Sequence, residues 1–173
     1  MHLIDILQQS PHRLVIPLMG FPGIHLTHST IWQNIFNSEL QSRTIQALVD
    51  RFHPDGAFFV MDLAVEAGAI GLPINFMLDE SPTVSAHPVR TVEDLERLRV
   101  VDPLHDGRLN AYLETMRRMQ DLELLKGAYV TGPFTLAGLM MGATEIAMAT
   151  LDQPDLVHEV IGFALDVVMP YAK

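Results

Sequence analysis

Hydrophobic and polar positions along the chain alternate between two periods, and the order in which those periods occur sets the expected fold. Residues 2–8 carry apolar positions at helical spacing and predict a short helix. Residues 13–18, β-branched and apolar between Pro11 and Gly20, predict a short strand. Residues 19–29, with Gly20, Pro22, Gly23, His25 and His28, predict a loop. From Ser38 a helical face recurs through Leu40, Ile45, Leu48 and Val49. The turn Pro54-Asp55-Gly56 then leads into a continuous apolar run over 57–61, as expected of a strand buried on both faces in a parallel sheet. Residues 75–85 predict one or two short strands, Thr91-Val-Glu-Asp opens a capped helix, and an amphipathic helix covers about 106–122. A second buried strand is expected over 127–131, with 132–135 as its exit loop, followed by helices over 135–149 and 154–172. Strand and helix alternate, so an α/β layer architecture follows, as a barrel or an open parallel sheet.

Polar groups gather where these strands end. Asp62 stands at the exit of the 57–61 run and Glu66 follows four residues later, on the same face if the segment is helical. Such carboxylates either cap and support a helix start, or hold a substrate and move its protons. Gly132-Pro133-Phe134-Thr135 forces a tight strand exit at a helix start, where free N–H groups suit a carboxylate or other anion; the alternative is a stiff connection with Phe134 in the core. His25-Leu-Thr-His28 has the look of a metal pair, but no third ligand accompanies it, and no metal ligand is assigned. Met140, Met141, Met148 and Met169 read as core filling.

Composition narrows the classes. The 173 residues suit one domain, and 49% hydrophobic with 18% charged residues excludes disorder. A formal charge of −10 argues against nucleic acid and anionic membranes as partners. No apolar run reaches the length of a membrane span, no leader pattern precedes the first strand, and the cytoplasm is the expected compartment. With no cysteine, thiolate nucleophiles and Cys-containing zinc sites are outside this chain's means.

Three segments in order resemble the uroporphyrinogen decarboxylase superfamily: residues 51–63 with Asp62, the Gly132-Pro-Phe-Thr-Leu-Ala run followed by Met141-Gly142, and Asp152-Gln-Pro-Asp-Leu-Val-His158. The resemblance implies the N-terminal portion of a (β/α)8 TIM barrel, with Asp62 at the family's active-site aspartate. It implies Asp62 as catalytic group and Met19, His25, Glu66, Phe134 and Thr135 as substrate-binding. Decarboxylases of the family carry an arginine-rich loop after the early strand, where this chain has Met19-Gly-Phe-Pro-Gly-Ile-His25, and a tyrosine where it has Leu139. The Gly-Pro-Phe-Thr-Leu-Ala spelling and the Val-Glu-Ala after Leu63 are nearer methylcobalamin:coenzyme M methyltransferases. That branch implies zinc, a methylated corrinoid, a corrinoid protein as partner and a small-molecule methyl acceptor. Its zinc ligands, a His and two Cys, belong to the second half of the barrel, so this chain alone is expected to bind neither zinc nor corrinoid. Residues 1–173 are expected to form one incomplete barrel domain, truncated at its C-terminal end, that self-associates through exposed barrel edges. A true or divergent cofactor-free decarboxylase and a non-catalytic half-barrel module are the alternatives. Asp62→Ala is expected to reduce turnover with little loss of folding.

Overall fold

The computed structural model describes residues 3–98 and 101–173. Helix α1 spans Leu3–Gln9, so the predicted first helix holds apart from Met1 and His2, which lie outside the described residues. Residues 13–18 form no ladder; the segment is extended and pinned at one point. Asp55 Oδ2 accepts the Val15 N–H at 2.7 Å, Oδ1 meets His12 Nε2 at 2.8 Å, and Val15 O accepts the Asp55 N–H at 2.9 Å. These bonds hold the Asp55 carboxyl below the usual range, first through Val15 and then through His12.

The expected 19–29 loop is largely helical: a 3-10 turn at Phe21–Gly23 runs into α2, Ile24–Thr27. His28 closes α2 in the left-handed conformation, φ 50°, and its N–H bonds Ile24 O. Gly20 lies against the extended chain at Val60, where an added Cβ would come within 2.7 Å of the Val60 Cα. A further helix not expected from periodicity, α3 (Ile31–Phe36), starts at a capping box in which Thr30 Oγ1 accepts the Gln33 N–H at 3.1 Å and Gln33 Oε1 accepts the Thr30 N–H at 3.0 Å. Helix α4, Ser38–Phe52, follows with Asn37 as its cap, and buries Ile45 and Leu48 as expected.

Strand β1 is Gly56–Phe58 and strand β4 Leu125–Gly127, starting one and two residues earlier than the apolar runs suggested and ending three and four residues earlier. They pair in parallel, Gly56 opposite Leu125 and Phe58 opposite Gly127. The runs 59–62 and 128–131 follow the ladder without regular secondary structure, so much of each apolar run is strand exit rather than paired stretch. Between the strands come α5 (Val65–Ala69), the hairpin β2 (Ile74–Asn75) and β3 (Thr83–Val84), α6 (Val92–Leu95) and α7 (Leu109–Arg118), shorter than the predicted 106–122. The exit of β4 enters α8, Pro133–Met141, at once, so Phe134 and Thr135 belong to a helical first turn rather than a loop. The expected 135–149 helix is broken at Gly142, φ 102°, and α9 (Ala143–Asp152) leaves at 102° to α8. Helix α10, Pro154–Ala172, packs on both.

The core lies between the strands and α7, α8 and α10, with Tyr112, Leu109, Leu136, Met140, Val160 and Ala164 fully enclosed. Met140 and Met141 are core, but Met148 and Met169 are about half exposed, which corrects the expectation for those two. Among the described residues no single helix is long and apolar enough to cross a membrane.

Gly127 faces the Phe58 ring across the ladder, and an added Cβ would lie 2.0 Å from Phe58 Cε1. Phe58 in turn stacks on Tyr129 at 5.0 Å. Gly127→Ala is expected to cost about 1–3 kcal/mol by overpacking, read from the urea unfolding midpoint. An unchanged midpoint would mean that the Phe58 ring moves aside freely.

Candidate active site at the strand exits

Parallel pairing carries two polar side chains to one level. Asp62 lies four residues beyond Phe58, Thr131 four beyond Gly127, and those two strand residues are partners. Helix α7 leads back towards the start of β4, where Lys126 Nζ bonds Leu122 O, so its opposite end, at Arg108, stands at the exits.

The Asp62 side chain is fully enclosed and every bond to it comes from a different source. Oδ1 accepts the Ala64 N–H at 2.8 Å, turning the chain into α5. Oδ2 accepts the Tyr112 hydroxyl at 2.8 Å and an Arg108 Nη1 hydrogen, the latter closing an ion pair. Burial, and then the Asp62 charge, push the Tyr112 hydroxyl well above its usual range, so it remains a proton donor to the carboxylate. The Arg108 guanidinium rests against two rings, 5.4 Å from Phe36 and 5.0 Å from Phe76, which are themselves 5.0 Å apart. Trp32 extends the cluster, 5.1 Å from Phe36.

Glu66 is also buried, but it faces the other strand. Its Oε1 accepts the Thr131 N–H and its Oε2 the Thr131 hydroxyl, both at 2.8 Å. Burial raises its pKa and outweighs these bonds, with the Asp62 charge adding in the same direction. Asp62 and Glu66 are thus close to one another, but they do not act as one ligand pair: one is tied to α7 and one to the exit of β4.

The remaining expected site residues scatter. Met19 is half-buried beside the Gly20–Val60 contact. His25 is exposed on α2 and lines a cavity of about 670 Å3 with Phe21, Ile24, His28, Ile31 and Asp79. Phe134 and Thr135 are exposed in the first turn of α8, which excludes a core role for Phe134. A second cavity of about 370 Å3 opens beside Arg108, Phe36 and Phe76. Neither of these two cavities is lined by Asp62, Phe134 or Thr135. Among the described residues no group of three or more His, Asp or Glu side chains could hold a metal ion, and His28 serves α2 as its terminus.

Arg108, Tyr112 and Thr131 are the partners that pattern reading passed over. Arg108 and Tyr112 share a helix face by their spacing of four, behind the Asp106-Gly107 turn, and that spacing was the available signal.

Two outcomes follow. Asp62→Ala leaves the Arg108 charge enclosed without its counter-ion, and a loss of about 3–5 kcal/mol is expected; this revises the expectation that folding would be spared. Asp62→Ala combined with Arg108→Met should be less destabilised than Asp62→Ala alone, and a double variant worse than the single would dissolve the coupling. Glu66 has a folded-state pKa above its ordinary 4.5, so the folded protein holds that proton more tightly than the unfolded chain does. Its contribution is complete below 4.5 and is lost as pH rises through the folded value. Glu66→Gln retains both bonds to Thr131, its amide donating to the hydroxyl, and should flatten the decline in stability from pH 4.5 upwards, measured against the natural protein by urea titration at successive pH values. Parallel curves for the two proteins would remove Glu66 from the pH response.

Comparison with known proteins gives a consistent picture. The sequence profile described as uroporphyrinogen decarboxylase (URO-D) matches residues 25–173. Among curated proteins, the uroporphyrinogen decarboxylase of Alkalilimnicola ehrlichii is 32% identical over 125 residues, covering 68% of this chain and 34% of that protein. The uroporphyrinogen decarboxylase of Geobacillus thermodenitrificans is 30% identical over 105 residues, covering 60% of this chain and 30% of that protein. Among solved structures, a methyltransferase from Methanosarcina mazei superposes with a TM-score of 0.79 at 21% identity, covering 98% of this chain and 53% of its own. The chain therefore spans about a third of the length of those curated relatives and about half of that structure. The fold is the N-terminal portion of a (β/α)8 barrel of this type, and the chain belongs to the uroporphyrinogen decarboxylase family.

Proposed function

We propose that the chain forms part of a methyltransferase that takes a methyl group from a methylated corrinoid and delivers it to a small thiol or similar acceptor. The observation that carries this reading is the character of the strand-exit end. Trp32, Phe36, Phe76, Met77 and Leu78 are exposed there and joined into one rim by the Trp32 N–H to Leu78 O bond at 3.0 Å. The adjoining cavity presents Phe21, Ile24, Ile31 and the acid Asp79. An apolar rim of this kind suits the face of a corrin delivered by a corrinoid protein, whereas a porphyrinogen with several carboxylates would meet the acid Asp79 and, over residues 19–25, no arginine. The names of the curated relatives favour the decarboxylase alternative, which is the second reading.

A methylated corrinoid delivered to this rim would supply the methyl group as an electrophile, and a thiol acceptor would take it up with loss of its proton to solvent. The described residues of this chain do not fit zinc, and in this reading zinc would be held by the Cys and His set that the family resemblance assigns to the other half of the barrel. Its own residues contribute position: Arg108 and Tyr112 fix Asp62, and Thr131 fixes Glu66, so that the exits present a rigid floor beneath the rim. The test is an assay of the complete enzyme with methylcobalamin and thiols, following the corrinoid spectrum, with uroporphyrinogen decarboxylation measured in parallel. Thiol-dependent demethylation without decarboxylation is expected. The opposite pattern would replace the proposal with the decarboxylase reading.

A further inference from the structure

Arg108 carries more donors than its ion pair uses. A guanidinium has five N–H groups, and the recorded bond to Asp62 engages Nη1 alone, while Nη2 is buried with no hydrogen-bond partner. The residue as a whole is only 8% exposed. An enclosed donor on a charged group without an acceptor is costly, and a native site that tolerates one is poised to receive an acceptor. Asp62 does not need the rest of the fork, because Tyr112 and the Ala64 N–H share its charge.

Arg108 also lines the 370 Å3 cavity, whose other walls are Phe36, Leu72, Ile74 and Phe76 together with Gly68 and Gly107. It is the one charged group in that lining. The apolar walls and the single fork define what would fit: a hydrocarbon body ending in an oxyanion, which a guanidinium grips through two parallel bonds. The Phe76 ring, 38% exposed on its short hairpin, forms one wall and packs on the guanidinium. It would have to turn outward for an oxygen to reach Nη2, and such exposed rotamer changes are fast.

We propose that this cleft binds a small organic carboxylate with an apolar body, its oxyanion on Arg108 and its body against Phe76, Ile74 and Leu72. This binding is independent of corrinoid chemistry, so its failure would leave the methyl-transfer reading as it stands. The protein carries its own reporter: Trp32 is its single tryptophan and packs on Phe36, one wall of the cleft.

Benzoate and hexanoate titrated into the complete chain, with benzamide as the uncharged counterpart, are followed by Trp32 emission and calorimetry. Saturable binding of the carboxylates is expected, with benzamide weaker by about tenfold. Arg108→Lys keeps a counter-ion for Asp62 but removes the fork, and should weaken benzoate by about tenfold; Phe76→Ala should do so without touching the ion pair. Circular dichroism establishes that each variant folds, and if Arg108→Lys does not, Phe76→Ala decides. Absence of saturable binding by the natural protein, equal binding of benzamide, or unchanged affinity in the folded variants would each overturn the assignment.

Discussion

Two carboxylates stand within five residues of each other at the exit of β1, and both are enclosed by protein. An ionised carboxylate removed from water costs several kcal/mol unless donors replace the lost hydration. The donors that do so come from distant parts of the chain: Arg108 and Tyr112 from α7 and its start, Thr131 from the exit of β4. Because each donor satisfies a carboxylate that would otherwise be stranded, the placement of α7 and of the second strand is bound to the placement of the first. The Ala64 N–H adds the local constraint, bending the chain from β1 into α5. The exits are therefore ordered by charge and hydrogen bonding as much as by apolar packing.

The division of labour between the two acids explains why they differ. Asp62 has a cation beside it and a hydroxyl whose proton is held firmly, so the group is fully compensated. Glu66 has only the neutral donors of Thr131, and burial dominates its behaviour. Neither lines the cavities beside Arg108 and His25. What faces the outside at this end is the aromatic cluster built on Arg108, which turns a buried ion pair into a surface of mixed character.

Much of the layout was legible from hydrophobic periodicity. Helices α4 and α10 and the parallel relation of the two strands follow from pattern and from the polar residues at the strand exits. The strands themselves were misplaced because the apolar run continues past the short ladder into the exits, and periodicity does not distinguish the two. Helix α3 escaped notice because Ile31–Phe36 has too few residues for a period, although Thr30 and Gln33 spell its cap. The break at Gly142 escaped because helix-compatible residues stand on both sides of it, and a lone glycine does not by itself end a helical pattern. At the candidate site, Asp62, Glu66 and the 132–135 connection drew notice in the sequence because acids and glycine–proline pairs at strand ends are conspicuous. Arg108 did not, because a single arginine at the start of the predicted 106–122 helix reads as a solvated charge until its burial is known.

The pairing of β1 with β4 joins residues about seventy apart in sequence. Closing a loop of that length is paid for in chain entropy before the ladder returns anything, and the ladder here is only three residues a side. The local helices, above all α4 with its asparagine cap, can form long before the strands meet. The long-range pairing of the two strands should accordingly come late in folding, after the local helices. During that delay the apolar strand segments remain uncovered, and the time a nascent chain spends in that state, rather than the stability it finally reaches, would set its susceptibility to aggregation.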